Sequence, residues 1–136
     1  MSKPRNIIAI DRVSVDDIVG YERIGVEEVS VGSGTVWESM NIKIPARLSI
    51  SEKVEDGVRL HTAQLTFKTC DAGSNTKRFA YRCRTADGQS ILIGKPGRPY
   101  PVTNVGREHP DNMGDSQLEE VSVKWTNEAR IPYIIG

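Results

Sequence analysis

Between Ala46 and Ile93 the chain alternates apolar and polar residues with a period of two, the signature of half-buried strands. Two Asp-Gly pairs, Asp56-Gly57 and Asp87-Gly88, interrupt the alternation. Asp-Gly between such runs marks a tight hairpin, because both residues accept positive φ. A two-residue turn at Asp56-Gly57 sets Ile50 opposite Ala63, Leu48 opposite Leu65 and Ala46 opposite Phe67. A second turn within Asp71–Thr76 sets Leu65 opposite Tyr81 and Phe67 opposite Phe79. A third, at Asp87-Gly88, sets Leu92 opposite Cys83. Opposed residues share a face, so the three registers agree on one apolar side: Leu48, Ile50, Ala63, Leu65, Phe67, Phe79, Tyr81, Cys83 and Leu92. A slip of one residue would invert a strand and destroy that agreement. The pattern predicts a four-stranded antiparallel meander over about residues 44–94. Its other face carries Arg47, Ser49, Thr62, Gln64, Thr66, Lys68, Arg78, Arg82 and Arg84. Ile91 and Ile93 break the polar side of the fourth strand. A strand apolar on both sides predicts a second covering layer.

The flanks add shorter signals. Asn6–Ile10, Glu28–Val31, Glu120–Thr126 and Ile131–Ile135 read as strands, and Ser14 is placed to start a single helical turn. Val121, Val123 and Trp125 share one parity, which puts Trp125 in the core. The expected fold is all-β: an antiparallel β-sandwich or partly open barrel built around the meander, in one domain over residues 1–136. Between the meander and the late strand lies a Pro/Gly-rich connection at about 95–117, with Pro96, Pro99 and Pro101 close together. So long a connection is unusual inside a compact domain. Its prolines favour an extended course, which suits an arm laid along a neighbouring subunit.

Composition narrows the function. The 136 residues hold 18 basic and 18 acidic side chains, and that balance argues against a general nucleic-acid binder. No apolar run is long enough for a membrane helix. The early apolar run ends at Asp11, too short for a secretory signal, so the expected setting is the cytoplasm. There the thiols Cys70 and Cys83 stay reduced, and the predicted register holds them too far apart to bridge. His61, His109 and the two cysteines lack the close spacing of metal ligands, so neither metal nor cofactor is expected. Gly32-Ser33-Gly34-Thr35 lacks the lysine and helix of a phosphate loop and reads as a turn. The carboxylate pairs Asp16-Asp17, Glu27-Glu28 and Glu119-Glu120 are adjacent, and adjacent strand residues point to opposite faces. No nucleophile elbow is present. These readings set no catalytic residue, and the chain is expected not to be an enzyme. The row of Arg78, Arg82 and Arg84 is either a solvated face or a contact for acidic segments of a partner. With Phe79 and Tyr81 facing away, it has no rings on which bases could stack.

Arg78–Val102, RFAYRCRTADGQSILIGKPGRPYPV, followed by Leu118–Ile134, LEEVSVKWTNEARIPYI, forms a hairpin, an extended arm, a returning strand and a hydrophobic tail. This arrangement, over about half the chain, resembles the small β-rich structural proteins of tailed phages and prophages, of the tail, neck or head-decoration type. The resemblance implies a sandwich or small barrel that assembles into rings, with loops and termini reaching onto neighbours. The expected partners are further copies of the chain and other structural subunits, with neither membrane nor nucleic acid. Assembly would take place in the cytoplasm, and the product would be a virion part. Candidate contacts are Arg78, Arg82 and Arg84 on the sheet, Tyr100 and Val102 on the arm, and Tyr133 on the tail. The competing readings are a monomeric ligand-binding domain, for example for carbohydrate through Trp37, Tyr100 or Trp125, and a small enzyme.

Overall fold

The computed structural model describes residues 5–69, 78–97, 99–107 and 119–134. Its strands are β1 (Arg5–Ser14), β2 (Glu22–Arg23), β3 (Glu28–Ser30), β4 (Glu38–Met40), β5 (Ile42–Glu55), β6 (Val58–Thr69), β7 (Phe79–Thr85), β8 (Ser90–Ile93), β9 (Val102–Arg107), β10 (Glu119–Asn127) and β11 (Tyr133–Ile134). One turn of 3-10 helix, Val15–Asp17, follows Ser14 as expected, although the Ser14 side chain makes no capping bond. Among the described residues the strands join in one sheet, in the order β2-β3-β11-β8-β7-β1-β5-β6-β10-β9, with β4 paired to β1. Among these described strands only the β11–β3 pair is parallel. The sheet curls without closing, and the fold is all-β, of sandwich or open-barrel type.

The β5–β6 hairpin has the predicted register, with Leu48 opposite Leu65 and Ile50 opposite Ala63. Asp56 (φ 51°) and Gly57 (φ 79°) both take positive φ, as a two-residue hairpin turn with a matching twist requires. The predicted Ala46–Phe67 opposition is lost to an irregularity between Lys43 and Arg47. Pro45, which has no amide hydrogen to give a ladder, falls in that break.

The predicted pairing of β6 with β7 is overturned. The neighbours of β6 are β5 and β10, and β1 lies between β5 and β7. Phe67 and Tyr81 do meet, but edge-on across the core, with ring centroids 6.3 Å apart. Alternation specifies which side of a strand is buried. It does not specify which edges join, and facing across a core satisfies it as well as lying side by side. The turn proposed within Asp71–Thr76 falls outside the described residues.

The β7–β8 hairpin forms, one residue out of the predicted register. Cys83 opposes Ile91 and Arg82 opposes Leu92. The Thr85 amide donates to the Gln89 carbonyl at 2.9 Å and the Gly88 amide to the Thr85 carbonyl at 3.1 Å, with Gly88 at φ 89°. This is a three-residue loop whose glycine takes the left-handed position. Ile91 and Ile93 therefore join the main core and Leu92 turns outward. Because β8 is apolar on both sides, the slip costs no burial.

The main core gathers Ile7, Ile10, Leu48, Leu65, Phe67, Tyr81, Cys83, Val121, Val123 and Trp125 among others. Ile7 and Ile10 are three apart, yet both point inward, because the β1–β7 register shifts between Ile7 and Ala9 and absorbs one residue as a bulge. A second cluster, Val13, Val15, Val29, Ala80 and Leu92, lies on the outward side of β1, β7 and β8. Ile18, Tyr21, Val31 and Trp37 pack against it. Residues 15–37 are thus the covering layer that the doubly apolar β8 predicted.

The connection predicted as a free arm is tied to its own domain over its described part. Val102–Arg107 is a strand paired to β10. The Trp125 Nε1–H donates to the Pro99 carbonyl at 2.9 Å, and Tyr100 packs against the second cluster. The expected extended course is instead bent at Pro96, Gly97 and Pro99, with Gly97 at φ 111°, and the chain runs back to the body that Trp125 anchors. Residues 108–118 lie outside the described set. The tail is similarly held. Ile131 is a core residue, the Tyr133 amide donates to the Glu27 carbonyl at 2.7 Å, and β11 sits between β8 and β3.

Candidate interaction surfaces

The arginine row does not form one surface. Its predicted companions Arg47 and Lys68 lie on β5 and β6, and β1 separates those strands from β7. On β7 itself the row meets an acid the sequence reading missed. Asp11 opposes Arg82 directly and is only 4% exposed. Its Oδ2 accepts from Arg82 Nε at 3.0 Å, Arg82 Nη2 at 2.7 Å and Arg84 Nη2 at 3.1 Å. A buried carboxylate is tolerated only with such charge-assisted partners. Arg82 also lies over the Trp37 ring, 4.7 Å from its centroid, and so closes the covering layer from beneath. Asp11 had a legible signal: an acid inside the alternating run of β1, with the parity of Val13.

Arg78 is exposed, and its guanidinium lies 4.7 Å from the Tyr100 ring centroid. Stacking of this kind is worth about 0.5–1 kcal/mol at an open site and holds the connection to the sheet. Val102 is 59% exposed on the terminal strand β9. Tyr133 is half-buried in β11. Of the six candidate contacts, the fold brings together Arg82 with Arg84, and Arg78 with Tyr100. Val102 and Tyr133 stand apart from both pairs.

Cys83 is fully buried. Burial, reinforced by the Asp11 charge, pushes its thiol well above the usual cysteine range. The thiolate is the reactive form, so Cys83 is a packing residue. Burial likewise raises Tyr81, against the opposing pull of its hydrogen bond to Thr103. His61 faces Glu52 at 3.4 Å and is buried. Cys70 and His109 fall outside the described residues. Among the described residues no cluster of three metal-type ligands occurs, and no helix is long and apolar enough to cross a membrane.

Two shallow depressions flank the β7–β8 turn. One, of about 480 Å³, is lined by Asn6, Thr85, Ala86, Asp87 and Gln89. The other, of about 380 Å³, is lined by Glu28, Gly88, Gln89, Ser90, Tyr133 and Ile134. In the first, the Asp87 carboxylate accepts the Thr85 hydroxyl and serves the turn. The rings considered for sugar stacking are otherwise occupied: Trp125 is buried, Tyr100 lies against Arg78 and Trp37 against Arg82.

Among the described residues, the longest unbroken run of exposed positions is the distal half of the β5–β6 hairpin. Every residue from Ser51 to Arg59 is exposed, in two strands that stay paired through to Glu55–Val58. Glu52 pairs with Arg59 at 3.9 Å and Lys53 with Glu55 at 3.6 Å. Val54 and Val58 stand in solvent, Val54 at 65% exposure. The sequence carried the signal here too, since SEKVEDGVR has polar residues on both faces of the ribbon. No protein-family model matches the chain, and neither a curated protein nor a solved structure matches it.

Proposed function

We propose that this chain is a structural, self-assembling component of a phage- or prophage-type particle, working through protein–protein contacts. One observation carries the reading: in the ribbon Ser51–Arg59 the two strands stay paired to the tip while every residue is exposed. A two-stranded ribbon is marginal by itself, and ordering each residue costs about 1–2 kcal/mol in backbone entropy. This one nevertheless stays paired to its tip, closed by a turn of matched twist. Rigid presentation lowers the entropy lost on docking, which is what a contact element needs. The contact role expected of the 95–117 connection thus moves to the ribbon. On this reading the subunit assembles in the cytoplasm and enters the particle.

Light scattering coupled to size exclusion tests it. The expected result is a mass above one chain that rises with concentration, together with the chain's recovery in purified particles at a fixed stoichiometry. A single-chain mass at every concentration, with particles that lack the chain, would refute it.

A further inference from the structure

We infer that residues 18–36 form a flap that swings open as a unit, hinged where β1 meets β4 and latched by residues 130–134. Opening bares the outward apolar side of β8 while the main core stays folded. The inference is independent of the assembly reading.

The hinge follows from the register. Arg12, near the end of β1, opposes Glu38 at the start of β4, so the chain leaves and re-enters the sheet at neighbouring points. A stretch whose ends already meet can move without drawing either flanking strand out of the sheet. Val15 and Trp37 stay at that stem. The Val15 amide donates to the Arg78 carbonyl at 3.0 Å, and the Trp37 ring lies against Arg82. Arg82 is paired with Asp11 inside the body of the sheet, so this ion pair stays whole when the flap moves.

The flap is braced within itself. The Thr35 hydroxyl donates to the Val19 carbonyl at 3.1 Å and accepts from the Val19 amide at 2.9 Å. The Gly32 amide donates to the same carbonyl at 2.7 Å. A Cβ on Gly20 would come within 2.9 Å of the Gly32 Cα, so the two glycines let the arms touch. Farther out, β2 pairs with β3, and Arg23 donates to the carbonyls of Gly25 and Val26. Against the body the flap offers less. Val29 is its one fully buried apolar side chain, with Ile18, Tyr21 and Val31 half-buried beside it. Segments that bury few apolar side chains open at lower free energy than the core.

Among the described residues the flap joins the sheet along one seam, β3 against β11. The Tyr133 amide donates across it to the Glu27 carbonyl at 2.7 Å. Arg130 meets the Glu27 carboxylate at 2.6 Å, and Arg23 donates to the Arg130 carbonyl at 3.1 Å. The other side of β11 is fixed more deeply. Ile131 lies in the main core, and the Pro132 carbonyl accepts from the Leu92 amide at 2.9 Å. The seam therefore parts between β3 and β11, and the latch stays with the body. Leu92, fully buried in the second cluster while the flap is closed, is what opening uncovers.

Thiol labelling of the full chain with a maleimide tests this, each site being read by mass spectrometry. Cys83 is the internal reference: it is sealed in the main core and reacts only when the whole fold opens. Leu92→Cys places a probe beneath the flap. Val29→Cys, close to valine in volume, places one on it and guards against a cavity effect at Leu92. Each probe should label about tenfold or more faster than Cys83. Its rate should stay nearly flat in low urea, where that of Cys83 climbs, because opening the flap exposes little surface. Glu27→Lys sets a like charge against Arg130 and should speed both probes about two- to fivefold, leaving Cys83 unchanged. Glu27→Lys/Arg130→Glu should restore the original rate.

Probes that label in step with Cys83 would show that this face opens only with global unfolding. Probe rates indifferent to Glu27→Lys would show that the seam is not the latch. Either result overturns the inference, whether or not the chain assembles.

Discussion

On the outward side of β5, β6 and β10, cross-strand rows read Arg47, Thr66, Ser122 and then Ser49, Gln64, Lys124. All six side chains stay half-buried or exposed. On the outward side of β1, β7 and β8 the matching row reads Asp11, Arg82, Leu92, and residues 15–37 close over it. Both halves show strand alternation, yet their second faces meet opposite fates. The difference lies in what each face can satisfy internally. Hydroxyls and amides in the open half keep water as a partner. In the covered half one acid pairs with two guanidiniums, and apolar Val13, Ala80 and Leu92 supply the burial.

That contrast is breakable, most severely at Asp11. Asp11→Ala leaves Arg82 beneath Trp37 without its counter-charge and should cost about 3–5 kcal/mol, the loss typical of a half-removed buried pair. Gln64→Ala in the open half should stay within about 0.5 kcal/mol. Urea unfolding compares the two, and equal losses would show that the covering layer does not depend on Asp11. Next in size, Leu92→Ala should cost about 2–5 kcal/mol through the cavity left under the cover. A loss below ~1 kcal/mol would mean the layer collapses onto β8 or is not packed.

Alkaline pH sharpens the picture further. Cys83 and Tyr81 both have raised values in the folded chain, chiefly through burial. A raised group keeps its full contribution below its unfolded pKa and loses it as pH climbs toward the folded one. Stability should therefore hold to about pH 8.5 and fall above it, first through the thiol and then the phenol. Cys83→Val should remove the earlier part of the decline in urea midpoints measured against pH. The smallest effect belongs to the ribbon: Arg59→Ala breaks an exposed pair and should change stability by less than about 0.5 kcal/mol. A larger loss would mean the ribbon helps to hold the body together.

Legibility in the sequence followed the same division. Two Asp-Gly pairs look alike, and they behave differently. At Asp56-Gly57 the dipeptide is the whole turn, and the arms carry one apolar side each, so register and face were both readable. At Asp87-Gly88 the loop takes in Ala86, with Thr85 bonding to Asp87 and to the Gln89 amide. The following strand is apolar on both sides, so nothing in its pattern opposed the slip. The insertion of β1 between β5 and β7 was hidden for a related reason, since edge pairing leaves no trace in alternation. Among site residues, the basic row was visible, but the acid that pairs with Arg82 and Arg84 was not. That needed Asp11, far away in the chain, to be recognised as the cross-strand partner of Arg82.

The ribbon's geometry has one further consequence. Because its two strands run in step beyond the body, its reach is adjustable by adding or removing opposed couples of residues next to Asp56-Gly57. Each couple changes the span by about 3.3 Å and leaves the core beneath Leu48 untouched. Adding two couples restores the original facing of the tip, whereas one couple turns the tip over. The ribbon's reach is thus tunable in discrete strides without redesigning the domain that carries it.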